Sequence, residues 1–198
     1  FFIDHDFNSR DDKGTVKAPS GTYMEVARCL NFWQNTVMSP LSLHVEYNGG
    51  VYNGYTINNA FLTGVDYFLH SADFRYTLNL KALYKYISYS DPNAKSKLPM
   101  QFTAVWGMKD LFGVKGLSFS GFADFWWEEH TLFSDKDGAI LPEKSNFVFI
   151  SEPQLWYNVG DLFGCANLNV GGEVELSYDF GTCKGFRARP CLGMKWVF

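Results

Sequence analysis

Apolar and polar residues take turns along nearly the whole chain. Between Leu168 and Phe180, the residues Leu168, Val170, Val174, Leu176, Tyr178 and Phe180 fall on one face of an extended backbone, and Asn169, Glu173, Glu175, Ser177 and Asp179 fall on the other. From Tyr76 to Tyr86, the set Tyr76, Leu78, Leu80, Ala82, Tyr84 and Tyr86 opposes Thr77, Asn79, Lys81 and Lys85. Leu41, Leu43, Val45 and Tyr47 separate in the same way from Ser42, His44, Glu46 and Asn48, and Leu117, Phe119, Ala123, Phe125 and Trp127 from Ser118, Ser120, Asp124 and Glu128. Met100, Phe102, Ala104, Trp106 and Met108 share one further face. A period of two residues marks a strand with unlike faces. It predicts about ten strands, over residues 1–8, 21–33, 40–48, 57–69, 74–88, 100–110, 115–129, 146–158, 166–180 and 185–198. Most are longer than the usual five or six residues of a soluble strand and match the roughly 9–11 residues that a tilted strand needs to cross a bilayer. Two segments resist the pattern. Arg28 falls on an apolar face, and 57–69 assigns poorly to either face, as a bulge near Gly64 would cause.

The connections also alternate. Those after odd-numbered strands are mostly long (Ser9–Ser20, Gly49–Thr56, Ser90–Pro99, His130–Ser145), with Gly181–Lys184 a short exception. Those after even-numbered strands are short (Gln34–Ser39, His70–Asp73, Leu111–Val114, Gly160–Cys165). Such an arrangement puts the long loops at one end, as in outer-membrane barrels with extracellular loops and tight periplasmic turns. An even strand count then sets both ends of the chain on the periplasmic side.

Alternation alone fits two opposite objects. In a soluble barrel or sandwich the apolar face is the core; in a membrane barrel it meets lipid, and polar residues line the lumen. Residue size favours the second. Tyr47, Tyr84, Tyr86, Trp127 and Tyr178 fall toward the loop end of the apolar face, and Tyr157 and Trp196 toward the turn end, the layout of two interfacial aromatic girdles. A closed core lined by so many bulky rings would be overfilled. On the polar face a tight turn at 180–185 sets Glu175 opposite Arg189 and Ser177 opposite Arg187. The expected fold is therefore all-β, a transmembrane antiparallel up-and-down barrel.

Composition agrees. The chain has 198 residues, 46% of them hydrophobic and 18% aromatic, yet its mean hydropathy is only −0.15, because half of each strand is polar. One domain, 1–198, is expected. No run approaches the roughly 18 apolar residues of a spanning helix. The net charge of −4 is scattered, without the basic stripe of a nucleic-acid-binding protein. The cysteines Cys29, Cys165, Cys183 and Cys191 form no CxxC, which argues against a disulfide framework or a zinc site. On strands they read as isolated thiols, with Cys183 exposed in a loop.

The ending Trp196–Val197–Phe198 resembles the C-terminal signature of bacterial outer-membrane proteins, whose terminal phenylalanine is read by the barrel-insertion machinery. The stretches FFIDHDF, LHVEYNGG, YTINNAFLTG, FSGFADFW, SEPQLWYN and VGGEVELSYDFG together resemble an uncharacterised family of outer-membrane β-barrel proteins related to the Tsx-like nucleoside-specific channels. The resemblance implies twelve strands in the complete protein, two of them an N-terminal hairpin preceding FFIDHDF that this sequence lacks. It also implies residence in the bacterial outer membrane among lipid or lipopolysaccharide, with insertion guided through Phe198 and with other outer-membrane proteins as candidate partners.

Candidate chemistry lies on the polar face. Its charged residues run around the wall as an acidic group of strands (Asp4, Asp6, Glu25, His44, Glu46), a basic pair (Lys81, Lys85, Lys109), an acidic group (Asp124, Glu128, Glu152, Glu173, Glu175) and a basic last strand (Arg187, Arg189, Lys195). Ten to twelve strands should enclose a narrow passage, between the side-chain-filled interior at eight and the open channel at sixteen. Opposed acidic and basic walls would orient a dipolar solute; the plain alternative is that these charges pair with one another and occlude the lumen. For a nucleoside, inward rings offer stacking surfaces worth about 1–3 kcal/mol per base, and Phe2, Phe122, Trp126 and Trp156 are the candidates. The favoured ligand positions are Phe122, Asp124, Trp126 and Glu128 on one strand, facing Glu152 on the next. Catalysis finds little support. His130 follows Glu128 and Glu129 without HExxH spacing, SDKDGAI (Ser134–Ile140) begins like a calcium loop but its Gly138 comes too early, and no nucleophile motif is present. The sequence thus points to a non-enzymatic diffusion channel without cofactor or metal, for small polar solutes with nucleosides foremost; a non-conducting structural or partner barrel is the alternative.

Overall fold

The computed structural model describes the chain except residues 7–8, 11–15, 19, 53–54, 57, 90–94, 137–138, 182–183 and 198. Among the described residues, eleven strands and the two-residue strand Tyr55–Thr56 form one antiparallel sheet: β1 (Phe2–Asp6), β2 (Gly21–Leu30), β3 (Leu41–Tyr52), β4 (Ala60–His70), β5 (Tyr76–Tyr86), β6 (Met100–Lys109), β7 (Leu117–Trp126), β8 (Val148–Ser151), β9 (Gln154–Asn158), β10 (Leu168–Tyr178) and β11 (Phe186–Trp196). β8 and β9 are one span in two pieces, and each span pairs with its neighbour in the chain, so the sheet is an up-and-down meander. Ala123 of β7 pairs with Ser151 and Ser120 with Gln154, so the ladder lapses at Glu152–Pro153 without a change of register. Gly121 permits this close approach, since a Cβ there would lie 2.4 Å from the Glu152 carbonyl oxygen. Ten spans thus stand where the alternation placed ten strands. Among the described residues, helix is confined to single turns, Leu111–Gly113 and Gly160–Phe163.

The two faces are inverted relative to a soluble protein. Along β3, His44, Glu46 and Asn48 are buried while Leu43 and Val45 are exposed. Asp66, Lys85, Gln101, Thr103, Asn169 and Ser177 are likewise buried, and Val65, Leu80, Tyr84, Phe125, Val170 and Met194 are exposed. What covers the polar face is the curvature of the sheet. Asn58, entering β4, donates to Glu128, leaving β7, at 2.6 Å, a contact that a flat sheet would place three spans apart. The outer rings cluster by height. At the loop end Tyr47, Phe61, Tyr89 and Tyr86 touch in series, as do Phe102, Trp127, Phe147 and Tyr178. Toward the turn end Trp106 packs on Phe119.

Four expectations need correction. No bulge interrupts β4, which keeps continuous register through Gly64 with His44 on one side and Leu83 on the other. Its pattern is irregular because Ala60 and Leu62 face inward, where they meet Leu83 and Ile87 in a small buried apolar cluster. The connection 130–145 is a paired ribbon, His130–Lys136 with Ala139–Ser145, and Ser9–Arg10 pairs with Val16–Ala18 inside another long connection. β3 runs beyond residue 48 to Tyr52, where Tyr55–Thr56 folds back on it. Asp137, Gly138, Cys183 and Phe198 lie outside the described residues. Among the described residues, β1 pairs only with β2 and β11 only with β10, so the sheet has two free edges.

Candidate functional site

The turn-end half of the inner face carries a polar cluster built by three adjacent strands. The β2–β3 register sets Cys29 opposite His44, and the β3–β4 register sets His44 opposite Gly64, one inward step from Asp66. His44 Nε2 lies 2.9 Å from Glu46 Oε2. The Nδ1 side of the ring faces Cys29 and Asp66. The Cys29 thiol donates to Asp66 Oδ2 at 3.1 Å and sits 3.5 Å from His44 Nδ1. Asn79 donates to the same Asp66 oxygen at 3.1 Å, Asn48 donates to Glu46 Oε1 at 3.2 Å, and the Lys81 ammonium lies 3.9 Å from Glu46 Oε2.

The loop-end half holds a second cluster, from β2, β5, β6 and β7. The Lys85 ammonium lies 3.8 Å from the centre of a Trp126 ring, a contact worth about 2 kcal/mol when desolvated. Trp126 Nε1 donates to Glu128 at 2.8 Å, and Tyr23 donates to Glu25 at 2.7 Å. Val148, Ile150, Phe122 and Phe180 pack around Trp126. Asp124 pairs in register with Thr103. Its buried Oδ1 has no hydrogen-bond partner, as is true of Asn79 Oδ1.

Across the last spans Trp156 lies over a slot made by two glycines in register, Gly171 on β10 and Gly193 on β11. A Cβ at Gly171 would meet the Leu155 carbonyl oxygen at 2.1 Å and the Trp156 ring at 2.9 Å. The Lys195 ammonium lies 4.7 Å from the same indole, whose Nε1 donates to Gln154 at 3.0 Å; Gln154 in turn donates to Glu173 at 2.9 Å. Glu175 and Arg189 form the expected ion pair, and Ser177 stands opposite Arg187. At the turn end the inner face opens into a cavity of about 670 Å³ bordered by Arg75, Lys109, Asn158, Asn169 and Lys195.

The candidate residues therefore do not converge on one locus. Lys85, Trp126 and Glu128 meet, with Asp124 nearby. Lys81 belongs with Glu46, and Trp156 with Glu173 through Gln154. Glu175 belongs with Arg189, while Arg187 stands apart. Glu152 is level with Phe122, whose carbonyl accepts its amide at 3.0 Å. Trp126 already carries Lys85 against its ring, so a base that stacks there must displace that ammonium. Cys29 is not an isolated thiol, because the β2–β3–β4 register delivers it to His44 and Asp66. Sequence reasoning passed over Asp66, which lies in the one strand whose faces it could not sort. The available signal was that Asp66 is the only acid of a long apolar segment.

A curved all-β antiparallel wall with a buried polar face and an exposed apolar face is the class of structure these observations define. The chain belongs to the DUF5020 family, a domain of unknown function, whose profile matches residues 1–198. Neither the curated proteins nor the solved structures contain a match to it.

Proposed function

We propose that this wall belongs to an outer-membrane β-barrel of the Tsx-like type, acting as a passive diffusion channel for small polar solutes, nucleosides foremost. The observation that carries the reading is the inverted polarity. His44, Asp66 and Ser177 are at most 2% exposed while Leu192 and Met194 are 91% and 76% exposed, an order that water disfavours and hydrocarbon favours. The orphan Asp124 Oδ1 beside Lys85 offers an acceptor to a hydroxyl or amino donor, and Trp156 with Phe122 offers aromatic surface. The cationic border of Arg75, Lys109 and Lys195 forms the turn-end mouth.

Reconstituted in planar bilayers, the full-length protein should give small, discrete conductance steps that adenosine or thymidine reduce, and liposomes containing it should swell in nucleoside. One observation favours the second reading, a non-conducting structural or partner barrel: much of the inner charge is already engaged, as in Lys85 on Trp126 and Arg189 with Glu175. Silence of the correctly folded protein toward every solute, with no change when Lys85 or Arg189 is neutralised, would decide for it.

A further inference from the structure

We propose that Cys29, His44 and Asp66 form a binding site for a borderline-soft divalent transition-metal ion of the zinc class. The three donor atoms come from three different strands, and their facing atoms close a triangle with sides of 3.1 Å (Sγ to Oδ2), 3.5 Å (Sγ to Nδ1) and 3.5 Å (Nδ1 to Oδ2). With bonds of about 2.3 Å to sulfur and about 2.0–2.2 Å to nitrogen and oxygen, one face of a tetrahedral zinc site has edges of about 3.3–3.7 Å, so an ion enters once the edge between Sγ and Oδ2 opens by about half an ångström, the other two edges already matching.

The support around the ligands is also of the right kind. The Glu46 carboxylate on the far nitrogen of His44 makes the carboxylate–histidine pair that orients metal-bound imidazoles, and Asn79 holds the Asp66 carboxylate. His44 and Asp66 are 1% and 2% exposed, whereas Cys29 is exposed, so the site is fixed at its base and open on the thiol side. Three protein ligands leave a fourth position for water or solute. Binding replaces the thiol proton, which passes to solvent, and the ion then faces the thiolate, Asp66 and Glu46 with Lys81 nearby. The inference does not depend on whether the barrel conducts.

Cobalt(II), added to the full chain refolded in detergent, is the probe. One equivalent should give a tetrahedral ligand-field spectrum with a thiolate charge-transfer band, and zinc should bleach both. On the native protein, zinc should suppress maleimide labelling of Cys29 and leave Cys165 and Cys191 unchanged, as mapped by mass spectrometry. Glu46→Gln, which keeps the side-chain shape, should weaken zinc binding about 10–100-fold; unchanged affinity would refute the positioning role of Glu46. The site itself is refuted if cobalt gives no thiolate band, or if the band survives Cys29→Ser. If Cys29→Ser does not fold, the labelling of the native chain decides alone, and unprotected Cys29 refutes the site.

Discussion

Lys85 stands where an indole ring and two acids, Asp124 and Glu128, converge on the inner face, so its removal is felt by all three. Lys85→Met takes away the cation those carboxylates face, and breaking a buried pair from one side costs about 3–5 kcal/mol. Urea unfolding in detergent should show that loss, and adding Glu128→Gln to the same chain should restore most of it. Gly171 and Gly193 make a sharper comparison. A side chain at Gly171 collides with backbone and indole alike, whereas at Gly193 the nearest atom, the tip of Trp156, is 3.7 Å away. Gly171→Val should destabilise by about 1–3 kcal/mol and shift the tryptophan emission to the red, while Gly193→Ala should leave both nearly unchanged. At this scale the sequence was only partly readable. Which residues face inward follows from alternation, but which of them touch depends on register. Cys29 and Asp66 are 37 positions apart and meet only because two successive turns fix the offsets of β2, β3 and β4.

The elements were far more legible, because a period of two is imposed by the pleat itself and survives along every span. The failures are equally physical. β4 hid its period because its inward Ala60 and Leu62 fill an apolar pocket beside Leu83, and the ribbon 130–145 stayed hidden inside a connection. The β10–β11 ladder was readable to the residue, since a short turn leaves one sensible register. The Glu175–Arg189 pair on it is half exposed and worth about 0.2–1 kcal/mol. Glu175→Arg alone should therefore lower the unfolding midpoint, and Glu175→Arg with Arg189→Glu should recover it. The turn joining β4 to β5 makes a pH prediction. The Ser71 hydroxyl, and after it the Arg75 amide, hold the Asp73 carboxyl below the usual carboxylate range. Its contribution to the turn is thus present at neutral pH and is lost as pH falls through that lowered value. Amide-exchange protection of Arg75 and Tyr76 should drop on acidification in the native protein, and Asp73→Asn should remove that dependence.

For the molecule as a whole, the side on which hydrocarbon lies is the quantity to measure. Leu80→Arg on the outer face should cost about 2–4 kcal/mol of bilayer stability if it sits near the midplane, and the same change at outward Tyr178, nearer the loop end, should cost less. Brominated lipids should quench Trp106 and Trp196 strongly, and Trp126 and Trp156 weakly, in variants that retain one tryptophan each. Equal quenching of all four, or a chain that stays monomeric without detergent, would overturn the membrane assignment.

The free edges of β1 and β11 carry a consequence for biogenesis. Every amide and carbonyl along a rim that enters hydrocarbon without a partner loses several kcal/mol. On the membrane reading proposed above, the sheet therefore cannot enter lipid first and find partners for its edges afterwards. On that reading both rims must be paired before, or during, passage into lipid, which would make the last strand to join the step at which a cell can accept or reject the molecule.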